Sequence, residues 1–310
     1  MTRLRPLLAL ALGLIAAACT SYGPAGSPAP PESFRDRPAI PQPSANPSTA
    51  ARVVLGKALF QDPNLSADRT MSCATCHQPE RAFTDGAPTA RGKGNRPLTH
   101  NTPGLHNIGL ATSLFWDGRS PSLEDQALRP IFNPQEMALA PAELMPRIKA
   151  QPRYTALFAA AFPGEAPGLS AVARALAAYQ RTLVSGEAPV DRFLAGDRSA
   201  MSAEAQRGFA LFAGRARCAT CHAGWAFSDW QRHDIGRPDT ANRKLRTPSL
   251  REVGRTAPYM HDGRFPTLEA VVDHYRDGAV RRLGAAPTVR LTATEKAELV
   301  AFLRSLDSDV

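Results

Sequence analysis

The chain spells Cys73-Ala74-Thr75-Cys76-His77, and the same five residues return as Cys218-Ala219-Thr220-Cys221-His222. Cys-x-x-Cys alone serves structural zinc, a redox dithiol or a disulfide. A zinc ribbon needs its two pairs to meet around one ion, and it leaves the following His without a task. A redox dithiol usually occurs once. Cys-x-x-Cys-His makes a narrower demand: two thiols one helical turn apart add to the two vinyl groups of haem, and the adjacent His lies under the iron as its proximal ligand. Of five cysteines, four lie in these runs and only Cys19 is left over. The pattern calls for two covalent c-type haems, one on Cys73, Cys76 and His77, the other on Cys218, Cys221 and His222.

The repetition reaches beyond the haem motifs. His77 and His222 stand 145 residues apart, and at that offset Thr102-Pro103-x-Leu105 matches Thr247-Pro248-x-Leu250. Asp117-Gly118-Arg119-x-Pro121-x-Leu123-Glu124 matches Asp262-Gly263-Arg264-x-Pro266-x-Leu268-Glu269, and "GKALF" at 56–60 is echoed by "GFALF" at 208–212. Two unrelated modules joined end to end would not keep one offset through separate motifs, so the chain reads as an internal duplication with one haem per copy. Helix signals dominate. Ser170 is expected to cap a helix striped by Val172, Leu176, Tyr179 and Leu183. Thr292-x-x-Glu295 is a capping box opening a last helix with Leu299, Leu303 and Leu306. Ser122 and Thr267 start equivalent short helices, the first expected to end at Pro130. No convincing run of alternating strands is present.

The N-terminus is an export signal: Arg3 and Arg5, then the apolar "PLLALALGLIAAA", then Cys19 after three alanines. That context makes Cys19 a candidate lipidation site and 1–19 a lipoprotein signal peptide. Residues 20–51, rich in Pro, Ser and Ala, are expected to be an extended tether with no core of their own. Beyond the signal no apolar run is long enough to span a membrane. With 43% hydrophobic residues the rest has enough for real cores, and a net charge of +9 favours acidic partners.

The order of motifs carries a resemblance. Cys73–His77, "HNTPGL" from His100, "FWDGRSPSLEDQALRPIFNPQEM" (115–137), Cys218–His222 and "LRTPSLREVGRTAPYMHDGRFPTLEAVVDHY" (245–275) together resemble the bacterial di-haem cytochrome c peroxidases and their relative MauG. The resemblance covers about residues 52–306. It implies an all-α periplasmic enzyme of two cytochrome c-like haem domains. Here these would be an N-terminal peroxidatic domain at 52–190 and a C-terminal electron-transfer domain at 191–310.

The resemblance also implies roles. Breaking the O–O bond of peroxide needs a proton taken from one oxygen and given to the other. The family's acid–base carboxylate falls on Glu136, with Gln126 and Pro130 as neighbouring pocket positions. Glu124 and Asp125 read instead as first-turn charges favoured by the helix dipole. The distal His of self-blocked peroxidases falls on Lys93, and His100 stands where the family usually has Arg, so the first haem is expected to be open, as in MauG-type enzymes. Adding 145 to Pro130 gives Tyr275 as distal ligand of the second haem, where classical members have Met; Met260, His261 and His274 are the competitors. Trp116 lies in the element the family folds between the haems. Asn101 with the carbonyls of Thr256 and Pro258 matches the family's calcium site. Trp225 and Trp230 read as packing residues.

Three functions follow from this pattern. The first is a peroxidase fed by a small cytochrome c or copper protein. The second is MauG-like, peroxide-dependent oxidation of a protein substrate. The third is a non-enzymatic di-haem electron carrier, disfavoured by Glu136 and the missing distal His. The expected setting is the periplasm, with a lipid anchor at Cys19 to the membrane and no nucleic-acid partner.

Overall fold

The computed structural model describes residues 32–235, 244–276 and 290–308. The expected export signal and Cys19 lie outside the described residues. The first half carries α1 (Ala50–Phe60), α2 (Cys73–Cys76), α3 (Leu123–Ala127), α4 (Arg129–Phe132), α5 (Pro141–Lys149), α6 (Pro152–Ala161) and α7 (Leu169–Arg181). The second carries α8 (Pro189–Ala195), α9 (Ala203–Ala213), α10 (Leu268–Arg276) and α11 (Ala293–Arg304). Strand is confined, among the described residues, to two antiparallel pairs. In one, β1 (Arg91–Gly92) and β2 (Arg96–Pro97) pair Gly92 with Arg96; in the other, β3 (Arg232–His233) and β4 (Leu245–Arg246) pair His233 with Leu245. The protein is mostly helical, as the sequence predicts.

Two large apolar clusters form most of the interior. One gathers α1 and α7 around Leu55, Leu59, Val172 and Leu176; the other gathers α9 and α11 around Phe209, Phe212, Leu299 and Phe302. Apart from Phe34, which joins the second, they divide the chain between Leu183 and Ala188. Each half is built on one pair of crossing helices, and a glycine sits at each crossing. A Cβ on Gly56 would lie 2.0 Å from the Ala175 carbonyl oxygen, and one on Gly208 1.9 Å from that of Glu298. Glycine costs about 1 kcal/mol inside a helix, a cost accepted here because any side chain would force the helices apart. The "GKALF" and "GFALF" echo is therefore a packing device.

Local geometry recurs at the offset of 145. Bridges Leu114↔Ser120 and Tyr259↔Phe265 correspond. So do the left-handed residues Asn107 (φ 62°) and Glu252 (φ 64°), and Phe115 (φ 66°) and Met260 (φ 73°).

The helix signals hold with two corrections. Val172, Leu176, Tyr179 and Leu183 are all buried, but the N-cap of α7 is Gly168, and Ser170 lies exposed in the first turn. Glycine serves as an N-cap nearly as well as serine. Thr292 caps α11 with a full capping box, and Ser122 and Thr267 cap α3 and α10. α3 ends at Ala127, and Pro130 is the second residue of α4. That position has no helical partner for an N–H, so proline is tolerated there.

The described part of the Pro-rich stretch, from residue 32 on, is anchored to the folded body. Phe34 is 1% exposed, packed on Phe209 and Phe227 with centroids 5.5 and 5.1 Å away. The Asn46 amide donates to Glu124 Oε1 at 2.7 Å and to the Arg174 carbonyl at 3.0 Å. Burying one Phe contributes about 1.5–3 kcal/mol, so two well-placed residues fix a segment whose average composition forms no core. Glu124 accordingly does more than complement a helix dipole: it is half-buried and also accepts from Arg181 at 2.7 Å.

Candidate functional site

Each Cys-x-x-Cys-His run folds as a single tight turn. In both, the His amide donates to the carbonyl of the first Cys, at 2.9 Å for His77 and 3.0 Å for His222. Both imidazoles use Nδ1 on a nearby carbonyl, His77 on Phe83 at 2.9 Å and His222 on Phe227 at 3.0 Å. A carbonyl partner fixes the tautomer with its proton on Nδ1, so Nε2 presents a lone pair. Burial pulls both imidazoles below the ordinary histidine range and keeps them neutral, the state a metal ligand requires.

The thiols answer the alternatives. All four are free of disulfides. Desolvation pushes Cys73 up to about 12, Cys76 to about 11 and Cys218 to about 12, and raises Cys221. Such sites disfavour the thiolates that zinc and redox dithiols need and suit uncharged thioethers. The two runs also do not share a ligand cluster: among the described residues the one group of His, Cys and carboxylate atoms close enough for an ion is Cys221, Asp229 and His233. Cys218, Cys221, His222 and Tyr275 open onto a cavity of about 350 Å³ that extends to Trp116 and Thr84 of the first half. The residues present fit haem at both runs.

The loop after α4 carries Glu136. Met137 N donates to the Pro130 carbonyl at 3.2 Å and Leu139 N to that of Ile131 at 2.9 Å, so the chain doubles back. Asn133 shapes the turn: its Oδ1 accepts from Gln135 N at 3.0 Å and its Nδ2 donates to Glu136 Oε1 at 2.7 Å. Lys93 N, just past β1, donates to the Glu136 carbonyl at 2.9 Å and pins the loop from the other side. Glu136 is half-buried, near enough to Cys73 and Cys76 to raise both thiols. Desolvation lifts its own carboxyl above the usual range, against the pull of Asn133 and Arg119. A surface carboxylate would not behave so. Pro130 packs directly against this loop, and Gln126 is half-buried one turn earlier. Lys93 is exposed. Arg119, not singled out in the sequence, stacks on Phe115 at 3.5 Å and is the cation acting on Glu136.

Tyr275 sits near the end of α10 and lines the cavity; it is 39% exposed, through that cavity. Desolvation, with Cys218 and Cys221 beside it, pushes its phenol up to about 12. Met260 and His261 line the same cavity, whereas His274 packs on Phe265 at 5.0 Å. Trp116 donates from Nε1 to the Asn101 carbonyl at 2.9 Å and meets the His261 ring edge at 6.4 Å. Asn101, Thr256 and Pro258 are brought to this one cavity. The Asn101 Nδ2 is committed to the Ala87 carbonyl at 2.9 Å, which turns its Oδ1 away from that bond. Trp225 and Trp230 are 5% and 9% exposed and pack together with Ala226. Trp225 is further held by Asp191, which accepts from its Nε1 at 3.1 Å.

Fold and sites thus define a class: a helical protein with two separate Cys-x-x-Cys-His haem-binding turns, one facing a half-buried carboxylate and the other a tyrosine. Comparison with known proteins agrees. The family model described as di-haem cytochrome c peroxidase matches residues 50–199. The methylamine utilization protein MauG of Methylorubrum extorquens is 45% identical over 295 residues, 89% of this chain and 84% of that one. The cytochrome c551 peroxidase of Nitrosomonas europaea is 31% identical, covering 88% and 85%. A crystal structure of a MauG-like protein associated with microbial copper homeostasis superposes with a TM-score of 0.81 at 32% identity, over 88% of this chain and 95% of that one. The chain belongs to the di-haem cytochrome c peroxidase and MauG family, a family of peroxidase-type oxidoreductases that implies two c-type haems.

Proposed function

We propose that this protein reduces hydrogen peroxide to water, taking two electrons and two protons per peroxide from a small cytochrome c or copper protein and from solvent. The observation that carries this reading is Glu136, a half-buried carboxylate beside Cys73 and Cys76 with its pKa raised by desolvation. Held by Cys73, Cys76 and His77, haem would supply redox-active iron able to pass electrons to peroxide. Glu136, as carboxylate, takes a proton from one peroxide oxygen and returns it to the other, which leaves as water. Asn133 holds the carboxylate in place through Oε1, leaving Oε2 for the proton. Gln126 offers an amide to orient peroxide. Pro130 has no ligating atom, and the exposed Lys93 puts no histidine over this face.

Tyr275 supports a second reading, MauG-like oxidation of side chains on a protein partner. A tyrosine ligand favours ferric iron and lowers the potential relative to Met, which suits retention of oxidising equivalents. Trp116, at the cavity that reaches from the first half to His222, suits electron exchange between the haems. The repeated bridges and left-handed residues support an internal duplication, with haem domains at 52–190 and 191–310. A calcium ion on Asn101, Thr256 and Pro258, the periplasmic setting and a lipid anchor at Cys19 complete the proposal. Steady-state peroxide turnover with a reduced cytochrome c donor tests it: sustained donor oxidation supports the peroxidase, and peroxide consumption only in the presence of a protein substrate supports the second reading. No reaction with peroxide at all would leave an electron carrier.

A further inference from the structure

Arg246, at the end of β4, is 4% exposed. Its guanidinium donates from Nε to the Phe115 carbonyl at 3.4 Å and from Nη1 to the Thr247 carbonyl at 3.5 Å. Both are long for a charged donor, and most of its five N–H groups are left over. Other buried arginines here are neutralised: Arg251 grips Asp191 with two bonds of 2.6 and 2.7 Å, and Arg181 meets Glu124 at 2.7 Å. No carboxylate among the described residues does this for Arg246. Desolvation alone pulls its pKa to about 10, unopposed by any anion. A buried cation without a counter-charge is among the costliest groups a fold can carry. Arg246 is nonetheless held firmly, its backbone N–H on the Trp116 carbonyl at 2.8 Å and its side chain 5.6 Å over Trp230. It lines the cavity onto which Cys218, Cys221 and His222 open.

We propose that Arg246 is the counter-charge for a propionate carboxylate of the haem held at Cys218, Cys221 and His222. Haem would bring carboxylates into a mostly apolar cavity, and the planar guanidinium fork matches a carboxylate in geometry as well as charge. The same residue is tied to the Trp116 and Phe115 carbonyls, so a propionate held by Arg246 would be linked to the 115–116 segment of the first half. A cation beside the propionate makes the reduced, less positive haem easier to form, so Arg246 sets the potential of the second haem upward.

The test is a spectroscopic redox titration of the purified two-haem protein as wild type, Arg246→Gln and Arg246→Lys, with intact mass confirming both haems. Arg246→Gln is expected to lower the reduction equilibrium of the second haem about tenfold or more, 59 mV per tenfold for one electron. Arg246→Lys, which keeps the charge, should recover most of that shift. Unchanged potentials in Arg246→Gln, a shift confined to the first haem, or equal shifts in both variants would overturn the assignment. Should Arg246→Gln fail to attach the second haem, attachment in Arg246→Lys upholds the need for charge and its failure there too overturns it. A wild-type mass lacking one haem would instead remove the di-haem reading on which this assignment rests.

Discussion

Glu136→Gln separates chemistry from architecture. The turn is held by Asn133 Nδ2 on Glu136 Oε1 at 2.7 Å, and a glutamine oxygen still accepts that bond, though without the carboxylate's charge, so the fold should lose only about 1 kcal/mol. The amide cannot take up a proton and hand it on as a carboxylate does. General acid–base catalysis contributes about 10²–10⁴-fold, so the reaction with peroxide should slow by that factor, about 3–5 kcal/mol of barrier. Stopped-flow mixing of the oxidised protein with peroxide, followed in the Soret band, reads the rate; thermal unfolding reads the fold. The pH profile adds a second signature. Glu136 must be ionised to take the proton, and its carboxyl is raised, so the wild-type rate should fall as pH drops through that raised pKa while the variant stays flat. Stability runs the other way. A carboxyl raised in the fold stabilises it below the unfolded pKa and loses that contribution as pH rises through the folded one; the wild type should therefore lose stability relative to Glu136→Gln over this window. A variant with intact haems and a peroxide rate within about threefold of wild type would refute Glu136 as the acid–base group.

The remaining expectations are separate. Cys73→Ala and Cys218→Ala should each disturb the attachment of one haem by intact mass, and zinc in their place would overturn the haem assignment. The resting oxidised protein should give one high-spin and one low-spin signal by electron paramagnetic resonance, and Tyr275→Phe should convert only the low-spin one; an unchanged signal would move the ligand to Met260 or His261, which share the cavity. Gly208→Ala places a methyl 1.9 Å from the Glu298 carbonyl oxygen and 2.8 Å from Phe302 Cβ, so α9 and α11 must part; a loss of about 1–3 kcal/mol is expected in thermal or denaturant unfolding, and unchanged stability would contradict the crossing geometry.

Features that depend only on neighbours along the chain are legible in the amino-acid order. Both haem-binding turns are local, down to the carbonyls of Phe83 and Phe227 that lie a few residues beyond His77 and His222. The stripe of α7 and the capping box of α11 are set by periodicity and by side chains three or four residues apart. Other features emerge only on folding, because they depend on sums over groups distant along the chain. Glu136 looks like a surface residue of a polar turn until Pro130, Lys93 and the Cys73 run close around it. Phe34, in a stretch whose composition promises no core, is buried by aromatics about two hundred residues away. Arg246 and Arg251 stand five positions apart in one motif and are both buried, yet Asp191 reaches only Arg251. Burial and ion pairing are properties of the assembled neighbourhood, and no local pattern records which of two arginines will be left without a carboxylate.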